Sequence, residues 1–208
     1  MKVELNDVTL ASVHSLSVAA SKDDVAPVIT QIALKRDGDS LRAMTTDRFM
    51  CLTGLYEGVA FHDWDEGQEV LVDPSSLKSM LDIKKKDKSN YNLTTTTISS
   101  EDDVVRGNMP DGTSVSLGLP NVKGSFPPVM NLFPKDEPNG SGSLNIRPDF
   151  IAKLVKVLPA ESRPEKSRVW EFQFRSIETP NKPQPVYATY TGAGYALSAL
   201  IQPALKKS

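Results

Sequence analysis

One arrangement occurs three times along this chain and limits its fold more than any other feature: a short strand-like run, one amphipathic helix, then a group of strand-like runs. The first copy opens at 1–5. Asn6 or Asp7 can cap a helix over roughly 8–21 whose apolar stripe is Leu10, Val13, Leu16 and Ala20. Strand-like runs follow at 29–35, at 41–45 after an Asp37-Gly38 turn, and at 50–56. The second copy opens at 69–72. Asp73-Pro74 then gives a cap and a proline at the first helical position, with Leu77, Met80 and Leu81 inward. Its strands are expected at 91–98, 104–108 and 113–117, the last two forming a hairpin around Pro110-Asp111-Gly112. The third copy opens at 143–146. Pro148 starts a helix over roughly 149–158 with Phe150, Ile151, Leu154, Val155 and Leu158 as its stripe, and strands follow at 169–176, 186–191 and 195–202.

Single helices separated by meandering strands make an α+β chain, not a parallel βαβ one. The expectation is repeated strand–helix–strands units whose antiparallel sheets are covered by helices on one face. Between the second and third copies runs "PNVKGSFPPVMNLFPKDEPNGSG", residues 120–142. Its five prolines preclude long regular structure. Phe126, Val129, Met130, Leu132 and Phe133 make it too apolar for a free linker, so it should lie packed on a surface.

With 39% hydrophobic and 24% charged residues the composition is that of an ordinary globular protein. No apolar run has the length of a membrane span, and the opening MKVELNDV is charged where a signal peptide turns apolar. The single cysteine, Cys51, excludes an internal disulfide framework and fits a reducing cytoplasm. His14 and His62 have no metal-ligand spacing around them. Neither a glycine-rich phosphate loop nor a nucleophile elbow is present, so the sequence suggests no enzyme, metal or cofactor. The net charge of −2 hides segregation: Lys84, Lys85, Lys86 and Lys88 crowd one segment, and Glu101, Asp102 and Asp103 another.

Three segments carry a resemblance. "TTDRFMCL" at 45–52 resembles the Ala-Thr-Asp-x-x-Arg-Leu-Ala segment of the bacterial-type DNA polymerase sliding clamp. "GSFPPVMNLFPKD" at 124–136 is similar to that clamp's interdomain segment, and "YALSALIQPALKK" at 195–207 to its last strand and tail. They occur in the family's order and span most of the chain, which resembles a shortened, phage-like clamp. The resemblance implies the DNA-clamp fold, antiparallel sheets outside and helices inside, with 1–134 as a complete domain (units 1–60 and 68–119 plus connector 120–134) and 140–208 as half of another.

The resemblance also implies a replication processivity factor: a cytoplasmic, nucleoid-associated ring around duplex DNA, in the host cytoplasm if phage-encoded. Its partners would be double-stranded DNA bound without sequence preference, DNA polymerase and other clients with clamp-binding motifs, and a clamp loader. The client-peptide cleft would use Thr46, Arg48, Phe49, Met50, Cys51, Pro134, Leu200, Gln202, Pro203 and Ala204. Met50, Cys51 and Gln202 depart from the family's Arg, Leu and Met. Asp47 is expected to brace the bend beside them. Phosphate-facing cations would be Lys78, Lys84, Lys85, Lys86, Lys88, Arg147, Lys153 and Lys156. An odd number of units cannot close head to tail, so the expected assembly is a tetramer closed by twofold contacts, first unit to first and third to third. Two alternatives stand beside this reading: a clamp mimic that binds clients or a host clamp without encircling DNA, and an unrelated α+β binding module.

Overall fold

The computed structural model describes residues 1–86, 95–108, 114–134, 146–157, 170–173, 185–192 and 194–203, with the backbone alone at 84–86. The expected strand residues 91–94, 113, 143–145, 169 and 174–176, the 110–112 turn, Leu158, Lys88 and Ala204 lie outside these. The first unit comprises β1 (Lys2–Leu5), α1 (Asp7–Ser15), β2 (Ile32–Asp37), β3 (Ser40–Thr46) and β4 (Met50–Tyr56). A short β5 (Ala60–His62) leads to the second unit: β6 (Glu69–Val72), α2 (Pro74–Lys86), β7 (Thr96–Ser99), β8 (Val104–Asn108) and β9 (Ser114–Gly118). The third unit has α3 (Pro148–Val157), β10 (Glu171–Gln173), β11 (Val186–Gly192) and β12 (Tyr195–Ile201).

All strand pairs are antiparallel among the described residues, in two sheets of order β5-β1-β7-β8-β9 and β10-β11-β12-β4-β3-β2-β6. The first two units exchange their opening strands. β1 leaves its own unit to pair with β7, and β6 leaves the second unit to pair with β2. This reciprocal swap is a pseudo-twofold relation, and α1 packs against α2 across it. The third unit attaches differently. Its last strand, β12, pairs with β4 over the full length of both, from Tyr195 opposite Tyr56 to Ile201 opposite Met50. The Tyr56 ring stacks on Tyr195 at 6.1 Å, and Ser12 Oγ donates to the buried Tyr56 hydroxyl at 3.2 Å, tying α1 to that seam. The spatial order of units is therefore second, first, third. The expected first-to-first contact is corrected by this order, because the first unit has its exchange side on β6 and its β4 side on β12.

Local chemistry explains the departures from the expected elements. The helix expected to reach residue 21 is α-helical only to Ser15, and Leu16–Ala19 is a 3-10 turn. Thr45 of β3 donates to the Leu16 carbonyl at 2.8 Å, taking the acceptor that an α-helix would offer to Ala20, whose N–H turns to Ser17 O instead. Asn6 is the cap, its side chain accepting from Thr9 N at 2.8 Å. Residues 29 and 30, expected as the start of a strand, belong to a 3-10 turn over Pro27–Thr30, and β2 begins only at Ile32. Ile146 lies outside any strand. No helix among the described residues is long and apolar enough to cross a membrane.

Candidate docking groove and helix face

The loop from β3 to β4 is built by short polar side chains. Thr46 Oγ1 donates to Met50 O and accepts from Arg48 N, at 3.0 and 3.1 Å. Asp47 Oδ1 accepts from Phe49 N at 3.0 Å and Met50 N at 2.8 Å, as expected of a residue that braces a bend. Its other oxygen meets Lys153 Nζ of α3 at 2.5 Å. Arg48 takes a left-handed φ of 75°, which turns its side chain outward to Asp23, 3.7 Å away. Phe49 O then accepts from Gln202 N at 2.9 Å, joining this loop to the end of β12.

Beside the loop lies an apolar groove of about 590 Å³, walled by Ala26, Val28 and Ile29 on one side and by the connector on the other, with Thr46, Arg48 and Cys51 between them. The connector contributes Phe126, Pro127, Pro128, Val129 and Leu132. Under the groove is an apolar cluster separate from the main core. It joins Ile29, Ala33, Met44 and Cys51 to Phe126, Val129, Phe133 and Leu200. Phe126 N donates to Glu69 Oε1 at 2.8 Å, and Phe133 meets the Tyr187 ring edge-on at 5.8 Å, so the connector is fastened at both ends. Burial pushes the Cys51 thiol pKa up from its ordinary value, partly offset by its contact with Thr46 Oγ1.

Of the expected cleft residues, Thr46, Arg48 and Cys51 line the groove. Leu200 lies opposite Cys51 in the β4–β12 register and packs beneath it. Met50 is a correction. It is fully buried in the main core with Leu52 and Tyr56, because adjacent residues of a strand face opposite sides and Cys51 has the groove side. Phe49, 59% exposed, lies beyond Arg48 in a second, polar depression with Lys22, Asp23, Lys153 and Lys156. Pro134 and Pro203 are half-buried and buried, Gln202 is exposed, and none of the three lines the groove. The wall at 26–29 has no signal of its own in the sequence, where Ile29 reads as the start of a strand. The apolar connector did signal the opposite wall.

The helices form a row, α2–α1–α3, with α3 also packed on the turn after α1. Lys78 and Lys156 are exposed on the outer two. Lys84, Lys85 and Lys86 close α2. Two other expected phosphate contacts are already paired. Arg147 makes a two-pronged bridge to Asp149 at 3.0 and 2.9 Å, and Lys153 holds Asp47. No group of three metal-binding side chains is found among the described residues.

The fold recurs in solved structures. The DNA polymerase III beta subunit of Borrelia burgdorferi superposes with a TM-score of 0.71 at 12% identity, over 100% of this chain and 63% of that one. The chain has the DNA-clamp fold. The Bacillus subtilis sliding clamp matches with a TM-score of 0.70 at 13% identity, over 100% of this chain and 65% of its own. A. fulgidus PCNA, solved with the C-terminal region of FEN-1 bound, matches with 0.61 at 9% identity, over 100% and 99%. The chain thus spans less than two thirds of these two bacterial clamps. No protein-family profile matches it, and neither does any curated protein sequence. A clamp fold over the whole chain overturns the reading as an unrelated α+β module.

Proposed function

We propose that this chain is the subunit of a DNA sliding clamp, a replication processivity factor that surrounds duplex DNA as a homo-oligomeric ring and docks polymerase-type clients in the groove at Cys51. Residues 1–134 are then a complete clamp-type domain and 140–208 half of a second. The observation that carries this reading is the β4–β12 seam, which extends one sheet across two units and leaves three helices in a row on one side. An arc of that kind, closed on itself, has a helix-lined hole. Lys78 and Lys156, with the Lys84–Lys86 end of α2, bring positive charge to that hole for phosphates without reading bases, which lets a ring slide.

The two free ends of the arc differ in kind. At one end β9 is an edge of the type that β4 and β12 join at the seam, and at the other β10 is an edge of the type that β6 and β1 cover in the first two units. Head-to-tail closure would join unlike edges, a contact that the chain does not use within itself. Four chains alternating second unit to second and third to third restore twelve units and both contact types in turn. The groove is the client site: apolar, concave and framed by Arg48. The test is retention on DNA. After loading, the protein should remain on closed circular duplex at moderate salt and run off when the circle is linearised. Equal loss from both forms would remove the ring. A short peptide bearing leucine and phenylalanine should compete with polymerase for the groove.

A further inference from the structure

Aligning the three helices on their first residues, Asp7, Pro74 and Pro148, puts Leu10, Leu77 and Ile151 at one position and His14, Leu81 and Val155 at another. Leu10 and Leu77 are fully buried and Leu81 is 7% exposed, whereas Ile151 is 39% and Val155 66% exposed. The next position behaves alike in all three: Val13, Met80 and Leu154 are buried. So α3 reaches the core through Phe150, Leu154 and Val157, yet is exposed at positions where α1 buries Leu10, half-buries His14, and α2 buries Leu77 and Leu81. Pro148, Ile151, Ala152 and Val155 form an exposed apolar stripe at i, i+3, i+4 and i+7. Among the described residues, β10 likewise has no strand on its outer edge, where β2 has β6 and β7 has β1.

We propose that a second copy of this chain covers this face: two third units meet about a twofold axis, α3 against α3, each completing the other's half-domain. The proposal rests on the ring reading above and names the surface of one of its two contacts. A second copy fits because the missing neighbour is a unit of this same architecture with its exchange side open. The first and second units have spent that side on each other. The stripe is uncharged, so identical surfaces meet there without repulsion. An antiparallel pairing centred near residue 153 sets Asp149 of each copy about level with Lys156 of the other, opposite charges at the rim. Ala152, near the axis, permits close approach.

Two variants of the full chain test this. Ala152→Cys places a thiol beside its own copy across the axis, while the native Cys51 is buried. Mild oxidation should yield a disulfide-linked dimer on a non-reducing gel. Val8→Cys, exposed on α1, should stay monomeric there. The double variant Ile151→Asp, Val155→Asp should halve the particle mass in light scattering while still binding the groove peptide, which reports an intact fold. A wild-type particle of four chains with no Ala152→Cys cross-link overturns the inference and leaves the ring standing. A cross-linked pair that never assembles beyond two chains supports the inference and removes the ring. A wild-type monomer at every concentration removes both.

Discussion

Asp47 illustrates how one side chain can hold a site without belonging to it. One oxygen holds the two N–H groups that follow the left-handed Arg48, and the other ties the loop to α3 of the third unit. Asp47→Ala should cost about 2 kcal/mol, since it leaves two loop donors and a half-buried lysine without their partner. Asp47→Asn keeps the amide oxygen for the loop and should lose less than about 1 kcal/mol. Urea unfolding of the three proteins checks the order, and equal losses would show that the loop bonds are not what matters. Cys51 offers a pH test. Burial disfavours its thiolate, so alkylation should be slow near neutrality and keep accelerating as pH rises past the ordinary thiol range. Bound groove peptide should slow it further. A rate that levels off where an exposed thiol does would contradict the burial. Met50→Asp, which sequence alone marks as a groove variant, would instead put a carboxylate into the main core.

At the scale of elements, the connector is a wall with its own small core. Phe126 and Phe133 are 5% and 8% exposed, and Leu132 between them is 63% exposed at the lip. These roles separate by substitution. Phe133→Ala should cost about 3 kcal/mol and raise amide exchange along 126–133. Leu132→Ala should leave stability within about 0.5 kcal/mol and weaken peptide binding. Binding unchanged in Leu132→Ala would place the peptide elsewhere. The sequence made much of this legible. The runs at 50–56, 69–72 and 104–108 are strands as expected, and Pro74 and Pro148 start helices. What it could not show depends on neighbours distant in the chain. The helix after Ser15 is tightened by Thr45, and the 26–29 wall is formed by a proline turn whose apolar residues read equally well as a strand. Lys153 gave no sign that Asp47, 106 residues away, would claim it.

Whole-molecule geometry turns on which edges remain open. Among the described residues, three units in the order second, first, third leave β9 and β10 as open edges of unlike kind, a consequence of strand exchange that no local pattern reveals. In the proposed ring the β9 edges of two chains pair antiparallel about a twofold axis, as β4 and β12 pair within one chain. Ser114 and Ser116 are exposed on β9. Replacing both with Glu sets like charges against each other across that axis, and charge on an edge strand is an effective block to pairing. The expected result is a particle of two chains, each 22.7 kDa, still cross-linkable through Ala152→Cys. Combined with Ile151→Asp and Val155→Asp the chain should be a folded monomer that binds the groove peptide and runs off circular DNA as fast as off linear. Native mass spectrometry reads all three assemblies. If the glutamate pair leaves the four-chain particle intact, β9 is not an interface, and the ring must close by some contact other than the one its own seam exemplifies.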